Sequence, residues 1–230
     1  MRFNVLLFDL DNTLLDFNKA EEHAFFLTAL SQGANFTESD YEAYHKINDK
    51  WWKLHEKGLY PRDEIVILRY AEFFKLKNID LSPEKFNAEY MVNLGEGKFT
   101  VPGAEETLKA LTSLGAKIYV ITNGVVSIQN RRLDGNPIAP YITDMFVSEK
   151  IGIPKPDVRY FKAAEKAFGL TFDEKTLIVG DSLTSDVLGG NNVGVKTCWF
   201  NPRAIINDGA AKPDYEIKSL FEAVNIANNG

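Results

Sequence analysis

The chain has 230 residues, 45% of them hydrophobic, and carries a formal net charge of −6 at pH 7. This length can bury one large core or two smaller ones. The acidic balance argues against long nucleic acid or an anionic membrane surface as a partner, whereas a small anionic substrate needs only a local positive site. Cys198 is the single cysteine, and no apolar run reaches the roughly 20 residues of a membrane span, so we expect a disulfide-free cytoplasmic protein.

The first predicted strand is VLLF, residues 5–8, and it leads into Asp9 and Asp11. An extended chain alternates its faces, so residues two apart point the same way and these two carboxylates would converge. Converging carboxylates repel each other and raise one another's pKa unless a cation or a shared proton lies between them. The stretch therefore predicts that the tip of the first strand holds such a group.

Residues 16–98 have the pattern of helices, without any strand-like run bounded by turns. Thr37 and Ser82 are suited to be N-caps, and Gly58 followed by Pro61 marks a break between two helices. We therefore expect about four helices here. The aromatic side chains of the segment are numerous enough for a small helical core, and packing is their more common role. The three histidines also lie in it, away from the carboxylates, which argues against a His-based triad; they are His23, His45 and His55.

From about residue 100 onward, short apolar runs alternate with helical patterns, which is typical of βαβ units around a parallel sheet. The first helix of this region has an apolar stripe for packing on the sheet, and Gly115 ends it. The members of the stripe are Ala104, Leu108, Leu111 and Leu114. We expect a Rossmann-like, doubly wound parallel α/β core formed by residues 1–15 and 99–230, with an inserted all-helical domain at 16–98.

Polar residues follow three of the predicted strands, at the edge where parallel α/β sheets bind their ligands. The first strand ends in DLDNT, the second in ITNG and a later one in GDSLTSD. Their four carboxylates would share one crevice and would suit a hard cation such as Mg²⁺, which prefers oxygen ligands. These are Asp9, Asp11, Asp181 and Asp186.

The same strand ends carry groups that suit phosphate oxygens. Thr122, Asn123, Gly124 and Ser182 supply hydroxyl and amide donors, and helix N-termini supply backbone N–H groups. Lys155 lies just before a predicted helix, where its charge could neutralise a phosphate and the carboxylates together.

Each of these features also has a plain structural reading. A strand-terminal Asp is common at turns, Asn-Gly is itself a turn signal, and a lone Lys is usually a solvated surface charge. GDSLTSD could be a strand exit followed by an N-cap at Thr184. Their arrival in order at successive strand ends favours a single functional site.

In combination, DLDNT, ITNG, Lys155 in KP and GDSLTSD resemble the four sequence motifs of the haloacid dehalogenase (HAD) superfamily, over residues 9–186. The helical segment resembles the C1-type cap of that superfamily. ITNGVVSIQNRRL, VSEKIGIPKPD and GDSLTSDVLGGNNVGVKTCWFNP are further similar to the bacterial pyrimidine 5'-nucleotidases. After Leu133 the chain departs from this branch with DGNPIAPYITDM, which contains two prolines. Asp11 separates the chain from the dehalogenases, which lack the second acidic residue.

The resemblance implies a role for each motif residue. Asp9 is expected to be the nucleophile, and Asp11 the general acid and base. Lys155 would tie the phosphoryl group to Asp9. Thr122 and Asn123 would bind that group. The expected Mg²⁺ ligands are Asp9, Asp181, Asp186 and, through its backbone carbonyl, Asp11.

The expected function is Mg²⁺-dependent hydrolysis of a small phosphate ester through an aspartyl phosphate, with a nucleoside 5'-monophosphate as the substrate. A phosphosugar phosphatase or phosphomutase on the same scaffold is the alternative, and an idle binding module is a third reading, against which the complete residue set argues. We expect the helical segment to be a lid hinged near Asp16 and Phe99, with Trp51 or Trp52 stacking on a nucleobase.

Overall fold

The computed structural model describes residues 1–207, 209 and 211–229. Six strands form one parallel sheet in the order β3-β2-β1-β4-β5-β6, so β1 lies in the middle. Their bounds are β1 Val5–Phe8, β2 Lys117–Thr122, β3 Asp144–Val147, β4 Thr176–Gly180, β5 Lys196–Phe200 and β6 Tyr215–Ile217. Phe8 is in register with Val120 on β2 and Val179 on β4. This register brings the ends of three strands together beside the residue that follows Phe8.

Helices make up most of the remaining chain. Within the described residues the α-helices are α1 (Phe17–Ser31), α2 (Glu38–Glu56), α3 (Arg62–Lys77), α4 (Pro83–Gly95), α5 (Ala104–Ser113), α6 (Val126–Leu133), α7 (Val158–Phe168), α8 (Leu188–Val193) and α9 (Glu222–Asn229). None of the described helices is long and apolar enough to cross a membrane.

The chain divides into two compact units. The α/β unit comprises Met1–Phe17 and Lys98–Gly230, and the helical unit comprises Asn18–Gly97. The two chain segments that connect them run side by side within the α/β unit, because Asp16 N–H donates to Phe99 O at 2.9 Å.

Both faces of the sheet are covered, as a doubly wound fold requires. Leu6 and Phe8 point into one core cluster, which α5 and α9 complete, whereas Leu7 points into a second cluster with residues of α7. The strands are therefore buried on both faces, which explains why their sequences are continuously apolar. The Rossmann-like α/β fold expected from the sequence is confirmed.

The apolar stripe predicted for α5 is confirmed except at its last residue. Ala104, Leu108 and Leu111 are buried, but Leu114 is 46% exposed because the helix ends at Ser113. Gly115 has a φ of 90°, in the left-handed region that stops a helix. The single cysteine, Cys198, is buried in the sheet, and burial raises the pKa of its thiol to about 12.

The helical unit contains four helices, α1 to α4, with the predicted caps. Thr37 N–H donates to Asp40 Oδ2 at 2.9 Å, and Ser82 Oγ accepts from Lys85 N–H at 3.2 Å. Its core is aromatic: Tyr44 stacks on Tyr70 with ring centroids 5.2 Å apart. These observations confirm the packing role expected for most aromatic residues of the segment.

Candidate active site

The tip of β1 places Asp9 in the middle of the sheet edge. Asp9 continues the pairing with β4, since its N–H donates to Val179 O at 2.9 Å. The chain then turns: Asn12 has a φ of 60°, and its N–H donates to Leu15 O at 2.7 Å. Asp11 therefore lies in a turn and not on the strand. The expected alternation does not extend to it, because β1 ends at Phe8.

Three carboxylates meet at this edge. Oxygen atoms of Asp9, Asp181 and Asp186 all lie within 4.8 Å of one another. Three convergent carboxylates are a suitable oxygen ligand set for Mg²⁺, and a divalent cation would offset their mutual repulsion. The side chain of Asp11 does not belong to this cluster, so three of the four predicted carboxylates converge. Its expected metal contact, through the backbone carbonyl, stays a prediction.

The glycine that ends β4 makes room for one of these carboxylates. A Cβ atom at Gly180 would lie 2.3 Å from Asp186 Oδ2, so any other residue would displace Asp186. Asp186 itself lies in a π-helical turn, Leu183–Val187, that leads into α8. Ser182 is the N-cap of this turn, with Oγ accepting from Ser185 N–H at 3.2 Å. The helical turn therefore begins at Leu183, and its N-cap is Ser182. The N-cap at Thr184 that the plain structural reading of GDSLTSD expected is not formed.

Lys155 is a buried cation between two of the carboxylates. Its side chain is 1% exposed, and Nζ donates to Asp9 Oδ1 and to Asp186 Oδ1, each at 2.7 Å, and to Ile121 O at 2.8 Å. Burial lowers the pKa of Lys155, but the charges of Asp186 and Asp9 outweigh it, and the net shift is upward. Lys155 therefore stays protonated and is the opposite of a solvated surface lysine.

Asn123 positions the lysine segment. Its Oδ1 accepts from Lys155 N–H at 2.8 Å, and its Nδ2 donates to Lys155 O at 3.1 Å. Both ends of the Asn123 amide are thus engaged with the backbone of Lys155. The expected contact of Asn123 with a phosphoryl group stays a prediction.

The pKa values of Asp9 and Asp181 are raised, as expected where the positive charge does not balance the buried carboxylates. Burial raises the pKa of Asp9 well above its ordinary value; Lys155 lowers it again in part, and the charges of Asp186, Asp181 and Asp11 raise it further. Burial, followed by the charge of Asp186, raises the pKa of Asp181 to about 7. A bound cation would reverse these effects by stabilising the ionised forms.

Two residues that sequence reasoning missed hold Asp181 in place. Asp181 N–H donates to Thr13 Oγ1 at 3.1 Å, so the turn after β1 is tied to the end of β4. Trp199 Nε1 donates to Asp181 O at 2.9 Å. Thr13 lies within the DLDNT stretch and could have been found there, whereas Trp199 is on β5 and gives no signal in the sequence.

The carboxylate of Asp11 is bound by helix α6. Arg132 Nη1 forms an ion pair with Asp11 Oδ1, and Gln129 Nε2 donates to Asp11 Oδ2 at 2.7 Å. Gln129 Nε2 also donates to Thr122 Oγ1 at 3.1 Å, so one amide contacts both candidate site residues. Gln129 and Arg132 lie within the ITNGVVSIQNRRL stretch that is similar to the pyrimidine 5'-nucleotidases, but no sequence pattern indicates a role for either.

Both candidate tryptophans lie on α2 of the helical unit. Trp51 Nε1 donates to Glu72 Oε2 at 2.9 Å, and its ring packs edge-on against Tyr60. Trp52 packs edge-on against His55, with ring centroids 5.7 Å apart. Both indoles have these contacts inside the helical unit, and their stacking on a nucleobase stays a prediction.

Comparisons of sequence and structure identify the family to which this chain belongs. The sequence matches the haloacid dehalogenase-like hydrolase family over residues 3–194. The HAD-hydrolase YfnB of Bacillus subtilis (strain 168) is 36% identical over 227 residues, which is 99% of this chain and 96% of YfnB. A crystal structure of YfnB bound to magnesium matches the present structure with a TM-score of 0.94 and covers 99% of this chain and 100% of that one.

Two further relatives are named as nucleotidases. The pyrimidine 5'-nucleotidase PynA of Streptococcus pneumoniae is 33% identical over 225 residues, or 98% of this chain and 95% of PynA. The pyrimidine 5'-nucleotidase YjjG of Escherichia coli (strain K12) is 29% identical over 224 residues, or 96% of each chain. By the family match and the near-complete coverage of YfnB and PynA, this chain belongs to the haloacid dehalogenase-like hydrolases.

Proposed function

We propose that this hydrolase is a Mg²⁺-dependent phosphomonoesterase that acts on nucleoside 5'-monophosphates through a phosphorylated Asp9. The observation that carries the proposal is the contact of buried Asp9 with Lys155, 2.7 Å apart, within a cluster of three carboxylates. A carboxylate held by a cation at the tip of the central strand is suited to attack phosphorus. The names of PynA and YjjG support a nucleotide as the substrate.

The reaction has two displacements. An Asp9 oxygen attacks phosphorus and the bond to the ester oxygen breaks, while Asp11 gives its proton to the leaving alkoxide. Water then attacks the aspartyl phosphate, Asp11 takes a proton from the water, and inorganic phosphate and free Asp9 are released. General acid and base help of this kind contributes about 10² to 10⁴ in rate.

The surrounding residues stabilise the phosphoryl group. Asp9, Asp181 and Asp186 would hold Mg²⁺, which supplies positive charge to the transferring oxygens. Lys155 Nζ, 2.7 Å from Asp9 Oδ1, supplies further positive charge beside the nucleophile. Thr122 Oγ1 accepts hydrogen bonds from Gly124 N–H and Gln129 Nε2, each at 3.1 Å, so both its acceptor positions are filled. The hydroxyl proton of Thr122 is then its remaining hydrogen-bonding capacity, which suits a phosphate oxygen.

The helical unit is proposed to be the lid that excludes water from the aspartyl phosphate. The structure of YfnB bound to magnesium is described as revealing interdomain movement, which supports a mobile lid here. The paired segments at Asp16 and Phe99 would be its hinge.

The test is a phosphatase screen on the full chain with nucleotides, sugar phosphates and nitrophenyl phosphate. We expect phosphate release from nucleoside 5'-monophosphates in Mg²⁺, and loss of that activity in excess EDTA and in Asp9→Asn. Faster release from sugar phosphates would favour the phosphosugar phosphatase, and transfer to a second sugar position without free phosphate would favour the phosphomutase. Turnover that persists in EDTA would contradict the metal, and the absence of any turnover would contradict the enzyme.

A further inference from the structure

The side-chain amide of Gln129 lies between two residues of the proposed reaction. Gln129 is 2% exposed, and its Nε2 is 2.7 Å from Asp11 Oδ2 and 3.1 Å from Thr122 Oγ1. Asp11 is the proposed general acid and base, and Thr122 is the residue proposed to donate a hydrogen bond to the phosphoryl group. The amide group therefore uses both of its N–H donors on functional groups that are 111 positions apart in the sequence and are brought together only by the fold.

Arg132 fixes which way the amide points. Arg132 Nη1 donates to Gln129 Oε1 at 3.0 Å and also pairs with the Asp11 carboxylate. A guanidinium has donors only, so the oxygen of Gln129 faces Arg132 and the nitrogen must face Asp11 and Thr122. Arg132 is 1% exposed, and this burial restricts the pair to one arrangement.

The glycine of ITNG makes the arrangement possible. A Cβ atom at Gly124 would lie 2.2 Å from Gln129 Nε2, so a larger residue would push the amide away. Gly124 is therefore required by the close approach of Gln129 to the backbone, in addition to the turn that Asn-Gly favours.

We propose that Gln129, oriented by Arg132, is a positioning residue that fixes the Asp11 carboxylate and the Thr122 hydroxyl relative to each other. The inference rests on the proposed function and deepens it, because it names what aims the acid and base. Thr122 is held with its proton available to the phosphoryl group, and Asp11 is held where the leaving oxygen and then the water would be. Gln129 and Arg132 contact Asp11, and Gln129 also contacts Thr122, so we assign both a role that acts through these residues and not on the phosphoryl group itself.

A double-mutant cycle on the full chain in Mg²⁺ tests this inference. Gln129→Met keeps the length of the side chain but removes both donors, and it is combined with Asp11→Asn. With an alkyl phosphate ester that the wild type hydrolyses, we expect Gln129→Met to lower kcat by about 10²-fold, since small misplacements of catalytic groups have effects of that size. With nitrophenyl phosphate, whose leaving group needs little protonation, we expect a loss of less than about 10-fold in the first displacement.

The coupling in the cycle separates positioning from a general structural effect. In the Asp11→Asn background the part of the effect that acts through Asp11 is absent, so Gln129→Met should cost no more on the alkyl ester than the loss of less than about 10-fold expected with nitrophenyl phosphate. Gln129→Asn, which keeps the amide but withdraws it by one methylene group, serves as a second variant if Gln129→Met does not fold. Arg132→Met should reproduce the leaving-group dependence of Gln129→Met. Arg131→Met, at the exposed neighbouring position, is the matched control and should leave kcat unchanged.

The outcomes distinguish the positioning role of Gln129 from the proposed phosphatase activity itself. Additive losses in the cycle, or equal losses with both leaving groups, overturn the positioning role of Gln129 and leave the phosphatase intact. A wild type that releases no phosphate from any ester overturns the proposed function, and the inference with it.

Discussion

Lys155 and Asp9 form a buried ion pair, with Nζ 2.7 Å from Oδ1 and the side chains 1% and 9% exposed. Lys155 pairs equally with Asp186, so one cation is shared by two carboxylates. Burying three charges is costly, and the arrangement is stable only while the charges offset one another. Lys155 therefore has a structural effect as well as its proposed catalytic one.

Lys155→Met should destabilise the metal-free protein and abolish turnover. The change leaves Asp9 and Asp186 buried without their counter-charge, and breaking such a pair typically lowers the free energy of unfolding by about 3–5 kcal/mol. Urea unfolding of the wild type and the variant in EDTA measures the difference.

The matched control is Lys162→Met on α7. Lys162 also pairs with a carboxylate, Glu165, at 2.8 Å, but its side chain is 67% exposed. Exposed pairs contribute less than about 1 kcal/mol, so this variant should unfold almost as the wild type does. If the two variants lost similar free energies of unfolding, the buried pair of Lys155 and Asp9 would stabilise the protein no more than an exposed pair does.

The grouping of the candidate site residues was largely predictable because they follow strands of one parallel sheet. Asp9, Thr122 and Asp181 each come directly at or after a strand end, and the register of β1 with its two neighbours brings those ends together. Lys155 was predictable as a member of the set but not as a buried residue, since a lone lysine carries no burial signal.

What the sequence did not reveal depends on tertiary contacts. The role of Gln129 requires both the turn at Asn12, which redirects Asp11, and the close approach to Gly124. Neither the turn at Asn12 nor the close approach to Gly124 produces a periodic sequence pattern from which it could be predicted. Strand β6 has only three residues, Tyr215–Ile217, at the edge of the sheet, and a run that short has no alternation to detect.

The pH dependence of stability should report the carboxyl cluster. The pKa of Asp181 is about 7 in the folded protein, against an ordinary value of 3.8. Between these values the folded state binds the proton more tightly than the unfolded state, so this group stabilises the fold at low pH and the contribution is lost as pH rises through about 7. The proposed Mg²⁺ ion would bind the ionised cluster, so the rise in Tm on adding Mg²⁺ should be larger at pH 8 than at pH 5.5.

Asp181→Asn isolates this effect because the amide does not titrate. In EDTA, the variant should lose less stability than the wild type between pH 4 and pH 7. It should also show a much smaller Tm increase with Mg²⁺ at pH 8, since one oxygen ligand is replaced by a weaker one. A Mg²⁺-induced shift equal to that of the wild type would exclude Asp181 as a ligand.

The two tryptophans give a test of nucleobase stacking. Stacking on an aromatic ring contributes about 1–3 kcal/mol per base, so removing the right indole should raise KM for nucleotides by about 5-fold or more and leave that for sugar phosphates unchanged. Trp51→Leu and Trp52→Leu are compared on both substrate classes, with Tm as the control because Trp51 also donates to Glu72. Unchanged preference in both variants would end the stacking hypothesis while leaving the proposed lid untouched.

The two carboxylates of DLDNT should fail in different ways when changed to amides. Asp9→Asn removes the attacking oxygen and should abolish turnover, because an amide is a far weaker nucleophile than a carboxylate. Asp11→Asn keeps the attack but removes the proton donor and base. Its backbone carbonyl, the proposed metal contact, is retained in the variant.

With nitrophenyl phosphate, Asp11→Asn should still form the aspartyl phosphate and then stall at its hydrolysis, giving a burst limited to about one nitrophenolate per enzyme. Rapid-quench measurement of product, with acid trapping of labelled phosphoenzyme, follows both steps. Asparagine can still accept from Gln129 Nε2, so the side chain at position 11 keeps a partner on α6 and the loss reports chemistry more than displacement. Equal losses in both variants without a burst would remove the acid and base role from Asp11, and a normal steady-state rate in Asp9→Asn would overturn the covalent mechanism.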